Sequence, residues 1–178
     1  DQDGRLVTLT GQPVQGFQAD ATGQVSSALG DINVSNVSAP PKATTSVTMQ
    51  ANLDATATDA DPAVPFDPTN PTATSTFQNS VTIFDSLGNP VQCDVYFRKN
   101  ATGAWEWHAL TDGANVQGGT AGTNVEIAKG DMTFDTAGKL VTSTQDATVN
   151  FDPLGGTPNQ FIAFNFGDPT AAGGTGLG

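Results

Sequence analysis

The only histidine of the chain, His108, sits two residues from Glu106 in the stretch AWEWHAL, interleaved with Trp105 and Trp107. A histidine beside a carboxylate is the minimum equipment for general acid–base chemistry or for the base of a hydrolytic triad. Two Trp at i and i+2 on one strand face can stack a sugar or a base. Cys93 is the single thiol, and Asp1, Asp3, Asp59, Asp61 and Asp67 lie in acidic stretches that invite a calcium reading. Each candidate stands or falls with the element that positions it.

AWEWHAL alternates, so Trp105, Trp107 and Ala109 share one strand face while Glu106, His108 and Leu110 share the other. That pattern makes the Trp pair core and His108 a solvent-facing strand residue without a catalytic role. Cys93 lies on the apolar face of a second alternating run, Val91, Cys93, Val95 and Phe97, and reads as a small buried hydrophobe. One Cys allows no intrachain disulfide, and one Cys plus one His cannot make a zinc site of three or four such ligands. The segment DQDGRLVTLTGQ fails as an EF-hand loop, with Leu6 where the Gly belongs and Gln12 where the carboxylate belongs. TDADPAVPFDP reads as a solvated loop, and nothing marks any two carboxylates as a glycosidase pair. The Gly-rich GANVQGGTAGTN at 113–124 has neither the strand-to-helix context nor the Gly-Lys-Ser/Thr ending of a phosphate loop. Asn33, Asn36 and Asn100 begin Asn-X-Ser/Thr triplets, which arise by chance in a Thr-rich chain. The sequence therefore predicts no catalytic, cofactor-binding or metal site.

The charge balance narrows the partners. Six Lys plus Arg stand against eighteen Asp plus Glu, for a net charge of -12, which repels phosphate backbones and anionic membranes. No run of about 18 apolar residues spans a bilayer, and no basic-then-apolar leader is present. A chain of 178 residues can bury roughly 70% of its unfolded surface, enough for a true core. It starts inside a strand and turn and stops in AAGGTGLG, which reads as a cut-out piece of something longer.

The elements are strands throughout. GRLVTLTGQPVQGFQAD gives two apolar pieces around Thr10, Gly11, Gln12 and Pro13, a hairpin, and residues 24–38 continue as extended chain through Ile32, Val34 and Val37. Pro40 and Pro41 cannot donate to a ladder and mark a boundary between folding units. Beyond it, TTSVTMQANLD alternates Val47, Met49, Ala51 and Leu53, a clean strand. Residues 54–75, crowded with Ala, Thr, Asp and Pro, form a long surface loop. TIFDSLGNPVQCDVYF is a hairpin turning at Asp85–Pro90, AWEWHAL adds a third strand, DMTFDTAGKLVTS is another hairpin, and QFIAFNF closes with Ile162, Phe164 and Phe166 on one face. Helical periodicity is missing and Thr, Val, Gly and Pro disfavour helix. The fold class is all-β: an antiparallel sandwich or small barrel built of hairpins, with part of a second β-domain, rather than a parallel sheet.

Taken together these stretches resemble one family. TIFDSLGNPVQCDVYFRKNATGAWEWHAL resembles the segment of bacterial flagellar hook proteins in which a strand runs into Asp-Ser-X-Gly-Asn, then a Val-Tyr-Phe strand, then a Trp strand. DQDGRLVTLTGQPVQGFQA is similar to that family's Asp-X-Asp-Gly-X-Leu-Val…Gly…Leu-X-Gly-Tyr stretch, with Val14 for the Leu and Phe17 for the Tyr. ATTSVTMQANLDA and MTFDTAGKL match its Thr-rich strand and its Phe-X-X-X-Gly-X-Leu hairpin. The resemblance implies part of an inner β-domain at 1–39, an outer inserted β-domain at 40–170 and a Gly-rich linker at 171–178, without the family's terminal helices. It implies a non-enzymatic subunit, exported through the flagellar secretion channel to the cell exterior. There, copies stack into a curved tube that joins rod to filament as a universal joint, with hook–filament junction, rod and cap proteins as neighbours. The piece alone is then expected to be monomeric, since the helices that hold the tube are absent from it. Other readings are a distal-rod or cap protein, an extracellular carbohydrate-binding or adhesin module using Trp105 and Trp107, and a β-sandwich hydrolase using Glu106 and His108.

Overall fold

The turns explain the strands between them. In Asp85–Asn89 the Asp85 amide donates to the Asn89 carbonyl at 3.1 Å and the Gly88 amide to the Asp85 carbonyl at 3.1 Å, while the Asp85 carboxylate accepts from the Leu87 and Asn89 amides, each at 2.8 Å. Gly88 takes φ +83°, the left-handed value that lets a three-residue loop end in a bulge matching the twist of the strands it joins. Asp135–Lys139 repeats this turn bond for bond, with Gly138 at φ +78°. Asp1–Arg5 and Thr8–Gln12 are built on the same pattern, the Thr8 hydroxyl replacing the carboxylate. Asp-x-x-Gly-x is thus the unit that sets hairpin register here.

This computed structural model describes residues 1, 3–19, 24–34 and 40–177. The chain divides into two compact units, Asp1–Pro40 and Pro41–Gly178. In the first, β1 (Gln15–Ala19) pairs antiparallel with β2 (Val25–Asp31), Phe17 opposite Leu29. Leu6, Val14 and Ile32 extend the ladder through backbone bonds of 2.8 to 3.0 Å. Asn36 and Val37 lie outside the described residues. No described hydrophobic side chain of this unit is buried, and Leu6, Leu9, Phe17, Val25, Leu29 and Val34 are exposed.

The second unit holds the core. After β3 (Ser46–Thr48) and a single helical turn, α1 (Pro71–Thr74), come β4 (Phe77–Phe84), β5 (Pro90–Ala101), β6 (Ala104–Asp112), β7 (Asn124–Phe134), β8 (Leu140–Ser143) and β9 (Ala163–Asn165). Strands β4 to β8 form one antiparallel meander in chain order, curled like half a barrel. The all-β class is what the alternation predicts. One pairing is not: β3 and β9 run parallel, Val47 opposite Phe164. The expected strand over 44–54 is ordered as a strand for three residues only, because β9 offers just three partners. This short pair lays Val47, Ile162, Phe164 and Phe166 over the apolar face of the meander, where Ile83, Val91, Cys93, Val95, Phe97, Trp105 and Trp107 are buried. Phe151, fully buried beside them, carried no alternating signal in the sequence. Gly130 in β7 is a packing requirement, since a Cβ there would run into the Thr144 carbonyl, the atom that accepts the Trp107 indole N–H at 3.3 Å. Residues 171–177, expected as a linker, fold back: the Gly176 carbonyl accepts from the Leu140 amide at 3.0 Å and Asp168 accepts from the Thr175 amide at 2.8 Å. Among the described residues no helix is long and apolar enough to cross a membrane.

Candidate functional site

Two adjacent cations at the end of β5 organise an extended polar network. Alternation sends Arg98 and Lys99 to opposite faces of the sheet, yet both are buried, at 6% and 5% exposure. A buried cation must be paired and fully hydrogen-bonded to be tolerated. The partners come from the loop at 54–70, which acts as a strap. Lys99 Nζ donates to the Ala55 and Ala57 carbonyls at 2.9 and 2.7 Å and pairs with Asp59 at 2.9 Å. The Lys99 carbonyl accepts from the Ala60 amide at 2.7 Å, so the strap takes over the sheet edge beyond the end of β4. On the other face Arg98 donates to the Asp61 and Val64 carbonyls at 3.0 and 2.5 Å, to Asn100 Oδ1 at 2.7 Å and to Glu106 Oε1 at 2.7 Å.

From there the strap crosses the outer face of the sheet. Phe66 stacks on His108 with ring centroids 3.8 Å apart and planes 6° from parallel, and the Pro68 carbonyl accepts from Asn124 Nδ2 at 3.0 Å. Beneath it lie Arg98 of β5, Glu106 and His108 of β6, and Glu126 and Lys129 of β7. His108 Nδ1 lies 2.5 Å from Glu126 Oε1, His108 Nε2 lies 3.8 Å from Glu106 Oε1, and Lys129 reaches Glu126 Oε2 at 3.3 Å. The expectation of a solvent-facing His108 is therefore corrected. Strand alternation assigns a face, but a long loop covers that face, and Tyr96 and Leu110 are buried there too. The ring is held by Glu126 and roofed by Phe66, which makes it a rung of the sheet.

Burial pushes the Glu106 carboxyl up, but hydrogen bonds from Arg98 and Asn100 and the charges of His108 and Arg98 outweigh it, leaving it below its ordinary 4.5. Glu126 is held low in the same way by His108 and Lys129 against burial. For Asp85 burial is opposed by the side chain of Asn89 and the amides of Asn89, Leu87 and Gly88, and the carboxyl sits below 3.8. A carboxyl whose folded pKa is depressed stabilises the fold above its unfolded value and loses that contribution as pH falls through the folded value. Between pH 7 and 5 acidification also relieves repulsion at net charge -12. The melting temperature is therefore expected to hold or rise slightly down to about pH 5 and to fall below about pH 4.5. Thermal scans across pH 7 to 3 check this, and a melting temperature still rising at pH 3 would contradict the assignment.

The remaining candidates disperse. Trp105 and Trp107 are core, and Cys93 is buried with its thiol pushed up to about 12, first by burial and then by the Asp94 charge. Asp1, Asp61 and Asp67 accept amides two residues ahead in their own turns, and Asp59 pairs with Lys99. Asn33 donates to the Asp3 carbonyl and Asn100 accepts from Arg98. No group of three metal-ligating side chains converges among the described residues. Sequence reading missed the strap clamp, although two consecutive cations inside an alternating strand, facing a loop rich in free carbonyls, were its signal.

The fold and this polar architecture define an all-β domain in which charged side chains fasten turns and a strap. The chain belongs to the flagellar basal body protein FlaE D2 domain family, whose model matches residues 52–176. That family is one of flagellar hook-type structural proteins rather than enzymes. No curated protein matches the sequence.

Proposed function

We propose that the chain is part of a flagellar hook subunit, working outside the cell in a curved tube that passes torque from rod to filament. The observation that carries this reading is that the family match, 52–176, falls within the second compact unit, Pro41–Gly178. We take that unit as the outer domain, and residues 1–39 as part of an inner β-domain. An isolated two-stranded hairpin is marginal in water. The exposed Phe17, Val25 and Leu29 of the first unit therefore fit a domain that further strands complete. Copies of the subunit are the principal partners, with rod, cap and hook–filament junction proteins at the ends of the tube. Outer domains that slide past each other as the tube turns call for polar, weakly adhesive surfaces, which the Thr- and Asp-rich strap supplies.

Deleting residues 40–170 from the parent protein tests this. Tubes are expected to form but to bend or coil wrongly by electron microscopy, because the adhesion of the tube is assigned to other parts. Complete loss of assembly would place the main adhesion in this domain and overturn the division of labour.

A further inference from the structure

β3 is the first strand of the second unit and β9 its last, so a pull on the two ends of the unit meets this pair from both sides. The pair is parallel, with Ser46, Val47 and Thr48 opposite Ala163, Phe164 and Asn165. In a parallel pair the start of one strand and the finish of the other lie at opposite ends of the ladder, so tension between them slides the strands along their axis and loads all the rungs together. The rungs run past the strand ends: the Ala163 amide donates to the Thr45 carbonyl and the Met49 amide to the Asn165 carbonyl, each at 3.0 Å. The far edge of β9 is gripped as well. Gln145, just beyond β8, donates from Nε2 to the Ile162 carbonyl at 2.8 Å and accepts at Oε1 from the Phe164 amide at 2.9 Å, so one side-chain amide stands in for a neighbouring strand. Sliding would also drag Val47, Ile162, Phe164 and Phe166 through the core. At the entry, Thr44 is tied to Phe84, its amide donating to the Phe84 carbonyl at 2.9 Å and its hydroxyl accepting from the Phe84 amide at 2.8 Å. At the exit, the Asp168 amide donates to the Leu177 carbonyl and the Gly176 amide to the Asp168 carbonyl, each at 2.8 Å, a short contact that opens first and passes the load to β9.

We propose that the β3–β9 pair, with Gln145 on its far edge, is a shear lock that sets the force at which the second unit yields. The inference deepens the hook-subunit reading and rests on it for the source of the load. In a tube that passes torque, an inserted outer domain is joined to the rest of its subunit through both of its chain ends, and any difference in tension between them crosses this pair. Forced unfolding is governed by the unfolding rate rather than by equilibrium stability. The lock therefore raises the yield force without a matching rise in melting temperature.

Single-molecule pulling on the whole chain tests this, since Cys93 is fully buried and silent to thiol-linked handles. The chain is held first through Lys42→Cys, just ahead of β3, and its C-terminus, and then through Ser80→Cys and Ser143→Cys on the two edge strands β4 and β8. The second pull runs across the antiparallel sheet and peels rungs in turn, so the first is expected to need about twice the force or more. Gln145→Ala is expected to bring the first force down towards the second. Arg98→Met, which frees the strap away from the load path, is expected to lower the melting temperature more than Gln145→Ala and to leave the force unchanged. Equal forces in the two directions overturn the proposal on the parent chain alone, whatever the variants do. A force that follows melting temperature, with Arg98→Met yielding more easily than Gln145→Ala, overturns it too. Either result removes only the lock, because the hook reading is tested separately by the deletion of residues 40–170.

Discussion

Trp107→Ala is expected to lower the stability of the second unit by about 3–5 kcal/mol, the range for truncating a large buried aromatic. The upper part of that range applies, for reasons visible around the ring. Trp107 is fully buried, with Phe164 and Phe166 at ring-centroid distances of 5.2 and 5.0 Å, so it links the meander to the β3–β9 lid. Its indole N–H also holds the Thr144 carbonyl over Gly130, and truncation leaves that carbonyl only the Asp131 amide, at 3.3 Å, as a donor. Collapse of the site is hindered because Phe164 is held in the three-residue β3–β9 pair and Phe166 follows directly after it. Trp105 lines a groove between the β5–β6 and β7–β8 turns, at 4% exposure, and Trp105→Ala should fall at the lower end. At about 2–4 °C per kcal/mol for a chain of this size, Trp107→Ala should melt roughly 10 °C or more below the parent. Near-parental melting of both variants would put the rings in solvent and return them to consideration as a sugar-stacking face.

What the sequence made legible follows from how local each feature is. The meander was readable because Val91, Cys93, Val95 and Phe97 alternate, and so do Trp105, Trp107 and Ala109, and their turns carry Asp, Gly and Asn at fixed offsets. The parallel β3–β9 pair was not, since it joins residues more than a hundred positions apart and neither strand is long enough to announce a partner. Phe151 was hidden for a related reason: it is anchored by a single bridge to Gln160, and an isolated bridge has no period. The strap is the most instructive case. Its sequence has no periodicity because, Asp59 and Phe66 apart, it grips the buried cations through main-chain carbonyls, which every residue type offers alike. The order lies in the receiving strand, in Arg98 and Lys99. The same alternation that correctly put His108 opposite the Trp pair could not tell that Phe66 would cover it.

Arg98→Met is expected to release the strap while leaving the meander folded. Arg98 joins strap, β5 and β6 by hydrogen bonds, through Asp61, Val64, Asn100 and Glu106. Removing one partner of a buried ion pair costs about 3–5 kcal/mol, because the other charge is left uncompensated. Glu106 keeps 22% exposure and can be partly rehydrated, so about 3 kcal/mol is expected here. Lys99→Met should cost less, since its acidic partner Asp59 is already half in water and the freed Ala55 and Ala57 carbonyls lie at the sheet edge. Arg98→Met with Glu106→Met together should cost less than the sum of the single changes, because no unpaired carboxylate remains under Phe66. Hydrogen exchange reads the mechanism: in Arg98→Met the amides of residues 54–70 should exchange faster while those of β5 to β7 keep their protection. Strap amides as protected as in the parent chain would show that Phe66 and Asn124 suffice to hold it. Uniform loss of protection across β5 to β7 would show instead that the strap and the sheet unfold as one unit, and that the buried cations stabilise the domain as a whole.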